Sequence, residues 1–243
     1  MSMIQDIIRL PLGLLGIAAN HYQGLAHVHK FGAVPAMSQN QTGTIWDVND
    51  TTYPWSSFSS AGTLSVPAVN ASDNGKTIRI VGLDANYYEI SEDVTVSSAG
   101  ATTTNQSFIR VYRAFVTNGS ATNVANINVQ KGGVTVLRIT AGKGQTLMAI
   151  YTVPAGKTAY IMKGVATCQS GADATGDMYV RYFGDQAFRV GHSFEVSGTG
   201  GEYMYEFGIP LRIPEKSDID VRASVRSNNA RVTAAFDIIL EDN

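Results

Sequence analysis

His27 and His29 stand two residues apart in Leu25-Ala26-His27-Val28-His29-Lys30. On a β-strand that spacing puts both imidazoles on one face, as a pair of metal ligands would be. His21 is the one nearby candidate for a third ligand, and no carboxylate or cysteine is interleaved, so no metal is expected. His192, Ser193 and Glu195 are residue types of a hydrolase. Neighbours on a strand point to opposite faces, however, and no Gly-x-Ser-x-Gly elbow surrounds the serine. No catalytic residue is expected, and the chain reads as a non-enzyme.

Three further patterns fall short of a ligand site. Asp47, Asn49 and Asp50 begin like a calcium loop but lack its glycine and closing glutamate. Gly75-Lys76-Thr77 and Gly156-Lys157-Thr158 resemble the end of a phosphate loop. The glycine needed five residues earlier is Asn70 in one and Tyr151 in the other, and no helix is expected to follow. Nucleotide binding is rejected and no cofactor is expected. The aromatic residues Trp46, Tyr53, Trp55, Tyr203 and Tyr205 could present ring faces to a sugar if loops expose them. That gives a second functional class, a receptor- or glycan-binding module.

The elements that would position these residues are strands. Of 243 residues 44% are hydrophobic and only 16% charged, with 24 glycines. A core is affordable, and the mixture favours short strands and turns over long helices. Alternating runs bounded by turn residues recur every 8 to 12 residues or so, the spacing of a sandwich or jelly roll. Asp73-Asn74-Gly75-Lys76 predicts a type I′ hairpin, and Gln130-Lys131-Gly132-Gly133 a second one. Pro154 and Gly156 predict a tight turn joining 147–153 to 158–165 as a hairpin. Gly184-Asp185-Gln186 and Ser227-Asn228-Asn229-Ala230 mark further turns. The expected fold is all-β: two β-sandwich or jelly-roll domains, 38–133 and 134–243, after an N-terminal arm, 1–37.

The net charge is −2, without a basic tract, so nucleic-acid binding is not expected. Cys168 is the only cysteine and reads as a small buried hydrophobe. The run Leu10–Ala19 is about half the length of a membrane span, and Asp6 before the single Arg9 makes a poor signal-peptide start. No membrane partner is expected. The arm carries Ile4, Ile7, Ile8, Leu10, Leu12, Leu14, Leu15 and Ile17, broken by Pro11, Gly13 and Gly16. An apolar arm left bare would be an aggregation hazard, so it is expected to dock on another subunit or protein.

Three stretches carry a resemblance. Gly82-Leu83-Asp84-Ala85-Asn86-Tyr87-Tyr88-Glu89-Ile90 continuing to Val96 with Phe108–Val111, Gln145–Tyr160, and Arg212–Ala223 resemble a module of virion proteins of marine tailed phages, cyanophages among them. The similarity covers most of the chain after about His27. It implies a structural component of the particle, located in the virion, with capsid, neck or tail proteins as partners. The component could be a head-surface decoration (cement) protein or a neck or tail accessory; the alternative is a host-receptor or glycan-binding module of a tail fibre or head fibre. By analogy with jelly rolls on virions, a homo-oligomer is expected, a trimer in the first instance. The resemblance supplies no catalytic residues.

Overall fold

The computed structural model describes residues 13–119, 122–169, 171–198 and 201–243, and the architecture is all-β. The two ends of the chain build the main frame. β1 (Leu25–Met37) pairs antiparallel with β16 (Ala230–Asp242), with Leu25 opposite Glu241 and Val34 opposite Val232. β16 pairs with β11 (Lys157–Cys168), and β11 with β14 (Glu202–Ile213), giving the order β1-β16-β11-β14. A second sheet has the order β10-β15-β12-β13, from β10 (Ile150–Thr152), β12 (Ala174–Arg181), β13 (Arg189–Val196) and β15 (Asp218–Val225). The short β2 (Thr42–Thr44) also pairs with β15.

These two sheets pack face to face because their strands alternate. Ala230, Val232, Ala234, Phe236 and Ile238 of β16 are buried, as are Ile219, Val221, Ala223 and Val225 of β15. The register of β1 on β16 places residues 25–37, assigned above to the arm, inside the sandwich. A pairing across some 200 residues leaves no local signal in the sequence.

Between β2 and β10 the chain leaves this sandwich. Ile45–Asp47 and Leu147–Ala149 run side by side as a neck, with Asp47 N donating to Leu147 O at 3.0 Å and Ala149 N to Ile45 O at 2.9 Å. The neck crosses β1 at Gly32, where a Cβ would lie 2.2 Å from Ile45 O and 2.4 Å from Ala149 N. Beyond the neck are two small sheets. One contains β6 (Thr102–Thr103), β3 (Ser65–Val66), β8 (Ile127–Lys131) and β9 (Val134–Ile139) in that order. The other contains β5 (Glu89–Thr95), β4 (Thr77–Leu83) and β7 (Arg110–Val116). One buried apolar cluster runs from Ile78, Phe108 and Val111 of this insertion into Ile161 and Phe236 of the sandwich.

Turn chemistry fares unevenly. The β8–β9 hairpin forms at Gly132 and Gly133, whose φ values of 57° and 82° suit a type I′ turn. β12 and β13 pair across 184–186, and Asn229 takes φ 58° in the turn before β16. The 73–76 turn is a type II turn instead: Asn74 sits at φ −58°, ψ 133°, and only Gly75 is at positive φ. It follows a short 3-10 helix and joins no hairpin. The predicted 147–165 hairpin is also corrected. β10 pairs with β15 and β11 with β14 and β16, so the turn at 153–156 is a crossing between facing sheets.

Candidate docking surfaces and the groups behind them

The described chain begins with helix α1 (Gly13–Ala18), which lies on the outer face of the β1-β16-β11-β14 sheet. Ile17 is 1% exposed and packs with Leu25 and Ile239, flanked by Tyr22, Tyr160 and Met162. Ile17 is thereby removed from the expected docking set, since its own sheet covers it. Gly16 permits this seating: a Cβ there would meet the Tyr22 ring at 2.4 Å. Leu15 is 69% exposed, and Leu14, at the rim of the groove between the helix and the sheet, is 55% exposed. Ile4, Ile7, Ile8, Leu10 and Leu12 lie outside the described residues.

Between α1 and the sheet is a groove of about 350 Å³, floored by Met162 and Ile239 and walled by Leu14 and Phe207. Its polar end is Asp237, whose Oδ1 is 3.0 Å from His27 Nε2 and 2.7 Å from His29 Nδ1. Lys163 Nζ stands 3.3 Å from Oδ2. Burial raises the Asp237 pKa, but the histidines and the lysine outweigh it and hold the carboxyl below the usual range. The two histidines do share a face, as expected, and the carboxylate missing from their own segment comes from β16. Lys163 is the third side chain to reach that carboxylate. Among the described residues no group of three or more His, Cys, Asp or Glu is arranged to hold a metal.

The edge strand β14 presents a second surface. Ile161 faces Leu211 while Lys163 faces Glu206, so 207–210 bulge out opposite the single residue Met162. Ile209 at the bulge is 88% exposed, and Met204 and Tyr205 are exposed on the same strand. His192 is held there by aromatic contact, with Nε2 2.8 Å from the Tyr203 hydroxyl and its ring 4.4 Å from that of Tyr205. Ser193 Oγ donates to Asp177 Oδ1 at 2.6 Å. The histidine and the serine therefore serve separate partners. Of the expected ligand-facing aromatics, only Tyr205 and the half-buried Tyr203 reach the surface.

Trp46, Tyr53 and Trp55 are buried, which overturns their use as a sugar platform. The rings pack edge-on, with Tyr53 5.2 Å from Trp46 and 4.8 Å from Trp55. Trp46 Nε1 donates to Thr51 O at 3.1 Å, and Trp55 Nε1 to Asp220 Oδ2 at 2.9 Å. Asp220 also accepts from Thr44 Oγ1 and from Arg222 Nε, each at 2.8 Å; burial raises its pKa against these donors.

Two residues away, Asp218 accepts Arg110 Nε at 2.7 Å and Nη2 at 3.0 Å, Arg181 Nη2 at 2.5 Å, and Thr152 Oγ1 at 2.7 Å. Burial works against the Arg110 charge, but its bonds to Asp218 outweigh this and raise its pKa. Arg110 belongs to the insertion and Asp218 to the sandwich, so this carboxylate clamps one to the other. In the sequence, Asp218, Asp220 and Arg222 read as part of solvated strand faces or, alternatively, as members of cross-subunit ion pairs. Asp218 is instead turned inward, onto arginines from β7 and β12.

No protein-family model matches the chain, and no curated protein matches it. Among solved structures, that of infectious bursal disease virus Gx strain is 10% identical with a TM-score of 0.23, covering 90% of this chain and 76% of that chain. The VP2 subviral particle of the same virus is 9% identical with a TM-score of 0.22, covering 100% of this chain and 78% of that chain. At these scores the likeness carries no argument about this protein.

Proposed function

We propose that the protein is a non-enzymatic structural component of a tailed-phage virion, docked through its N-terminal apolar end. Within that reading it is a decoration protein of the head surface or an accessory of the neck or tail, working as a homo-oligomer. The resemblance of Gly82–Val96, Gln145–Tyr160 and Arg212–Ala223 to virion proteins supports the class. The observation that carries the docking role is the orientation of α1. Ile17 anchors the helix to the sheet and leaves Leu14 and Leu15 more than half exposed, directly after the apolar residues of the arm.

Burying the two leucines on a partner would contribute about 3–5 kcal/mol before association costs. The test is co-sedimentation with particles assembled without the protein, using the full chain and a Leu14→Ser/Leu15→Ser variant with the wild-type melting temperature. The reading expects the variant to bind at least tenfold more weakly. Undiminished binding contradicts docking through this end. The receptor or glycan reading has lost the Trp46–Tyr53–Trp55 platform and keeps only Tyr203 and Tyr205.

A further inference from the structure

Among the described residues β1 is an edge strand, paired with β16 on one side and with no strand on the other. A cleft of about 600 Å³ runs along the open side, between residues 27–31 of β1 and the insertion's β7 with the adjoining Gln145–Thr146 segment. The neck crosses the face of β1 at Gly32. The open stretch, residues 27–31, spans about 16 Å, room for about five residues of an added strand.

The cleft is basic on a protein whose net charge is −2. Lys30 and Arg113 line it, opposed by Glu89, while His27 and His29 at its rim are already bonded to Asp237. The Glu89 carboxylate already accepts the Tyr112 hydroxyl at 2.6 Å. Lys30 is buried, with Nζ donating to the Tyr112 carbonyl at 2.6 Å and lying 5.4 Å from that ring. It thus holds a carbonyl but no carboxylate, and burial, then the Arg113 charge, lowers its pKa to about 7. Tyr151 is buried beside Tyr112, their ring centroids 4.8 Å apart.

An inward-pointing charge on an edge strand discourages indiscriminate strand pairing. The same charge favours a partner that brings a carboxylate, which is how a cost against most sequences becomes specificity for one class. We propose that this cleft is a docking site for an extended acidic segment of a partner protein. The segment pairs with the open edge of β1 and sets a carboxylate against Lys30 and Arg113. Main-chain bonds to residues 27–31 hold it, and the basic groups select it.

The test titrates the full chain with a fluorescein-labelled Val-Glu-Val-Glu-Val peptide and with its Gln counterpart, alongside hydrogen exchange of the β1 amides. The Glu peptide is expected to bind saturably and at least tenfold more tightly than the Gln peptide. Arg113→Glu should weaken it at least tenfold, and β1 amides facing the cleft should slow on binding. Affinity should rise from pH 8 to pH 6, because the incoming carboxylate favours protonated Lys30. The groups facing Lys30 are Arg113 and Tyr112 from β7, Glu89 from β5, Tyr151 from β10, and His27 and His29 of its own strand. Lys30→Met should flatten the Lys30 part of that pH dependence; Arg113→Glu, at an exposed position, keeps the test decisive if Lys30→Met fails to fold. The proposal is overturned by no saturable binding up to about 1 mM, by equal binding of the two peptides, or by indifference to Arg113→Glu. It is equally overturned if the β1 amides do not slow, or are already protected in the free chain by its own segment or a second copy.

Discussion

Replacing Asp218 by Asn removes the one negative charge that Arg110 and Arg181 share. Both guanidiniums reach it within 2.5–3.0 Å, and its side chain is almost wholly buried. Asp220 cannot take over, because Arg222, Trp55 and Thr44 already use its oxygens. The variant thus leaves two cations facing each other without a counter-charge. Removing one partner of a buried ion pair costs about 3–5 kcal/mol. For a chain of this length, each kcal/mol moves the melting temperature by about 2–4 °C, so a fall of roughly 6–20 °C is expected.

Differential scanning calorimetry reads this fall, and it also reads cooperativity. Arg110 is in the insertion and Asp218 in the sandwich, and one apolar core joins them, so the wild type should melt in a single transition. A double-mutant cycle with Arg110→Met should give a coupling of about 2 kcal/mol. A loss below about 1 kcal/mol for Asp218→Asn, or separate melting of insertion and sandwich in the wild type, would refute the clamp.

Three further outcomes are expected. Burial raises the Asp47 pKa to about 6, against the bond from Thr140 Oγ1 at 2.7 Å. The folded state therefore binds more protons than the unfolded one between about pH 4 and pH 6, and this group's contribution to stability falls as pH rises through that window. Asp47→Asn should remove that slope in urea titrations and stabilise at pH 7.5 by up to about 3 kcal/mol; an unchanged pH profile would contradict the assignment. Gly32→Ala forces a Cβ into the Ile45 and Ala149 backbone and should cost about 3 kcal/mol or more, or prevent folding; a melting temperature within 2 °C or so of wild type would be incompatible with the neck crossing β1 there. Ile17→Ser should lower stability by about 3 kcal/mol while Leu15→Ser changes it by less than about 0.5 kcal/mol; equal effects of the two would show that α1 is not seated as described.

The fold class was legible because strand signals are local: Val232 to Leu240 is apolar enough to sit centrally in a sheet, and β16 lies between β1 and β11. So was the β8–β9 hairpin, because two adjacent glycines at positive φ leave few alternatives. The partnering of strands was not legible. Pro154 and Gly156 predicted a turn, but only the distant β15, β14 and β16 decide that its two strands join different sheets. Residues 25–37 could not be separated from the arm for the same reason, since their partner is β16. At the site level, Trp46 and Trp55 were ambiguous. An indole can stack on a ligand or bury itself with its N–H satisfied, and Thr51 and Asp220 provide the second option. Asp237 was missed as the partner of His27 and His29 because a strand's neighbours are invisible until it is paired. For the arm, the distinction between Ile17, buried, and Leu14 and Leu15, exposed, depends on where the sheet meets α1.

The most direct test of the proposed virion role is cryo-electron microscopy of virus particles purified from the source of this chain. A virion component docked through its N-terminal end should appear as ordered, repeated density fitting the sandwich and its insertion. Leu14, Leu15 and the residues before them should be covered by another virion protein. Particles that lack the chain, or that hold it with Leu14 and Leu15 facing solvent, would contradict the account.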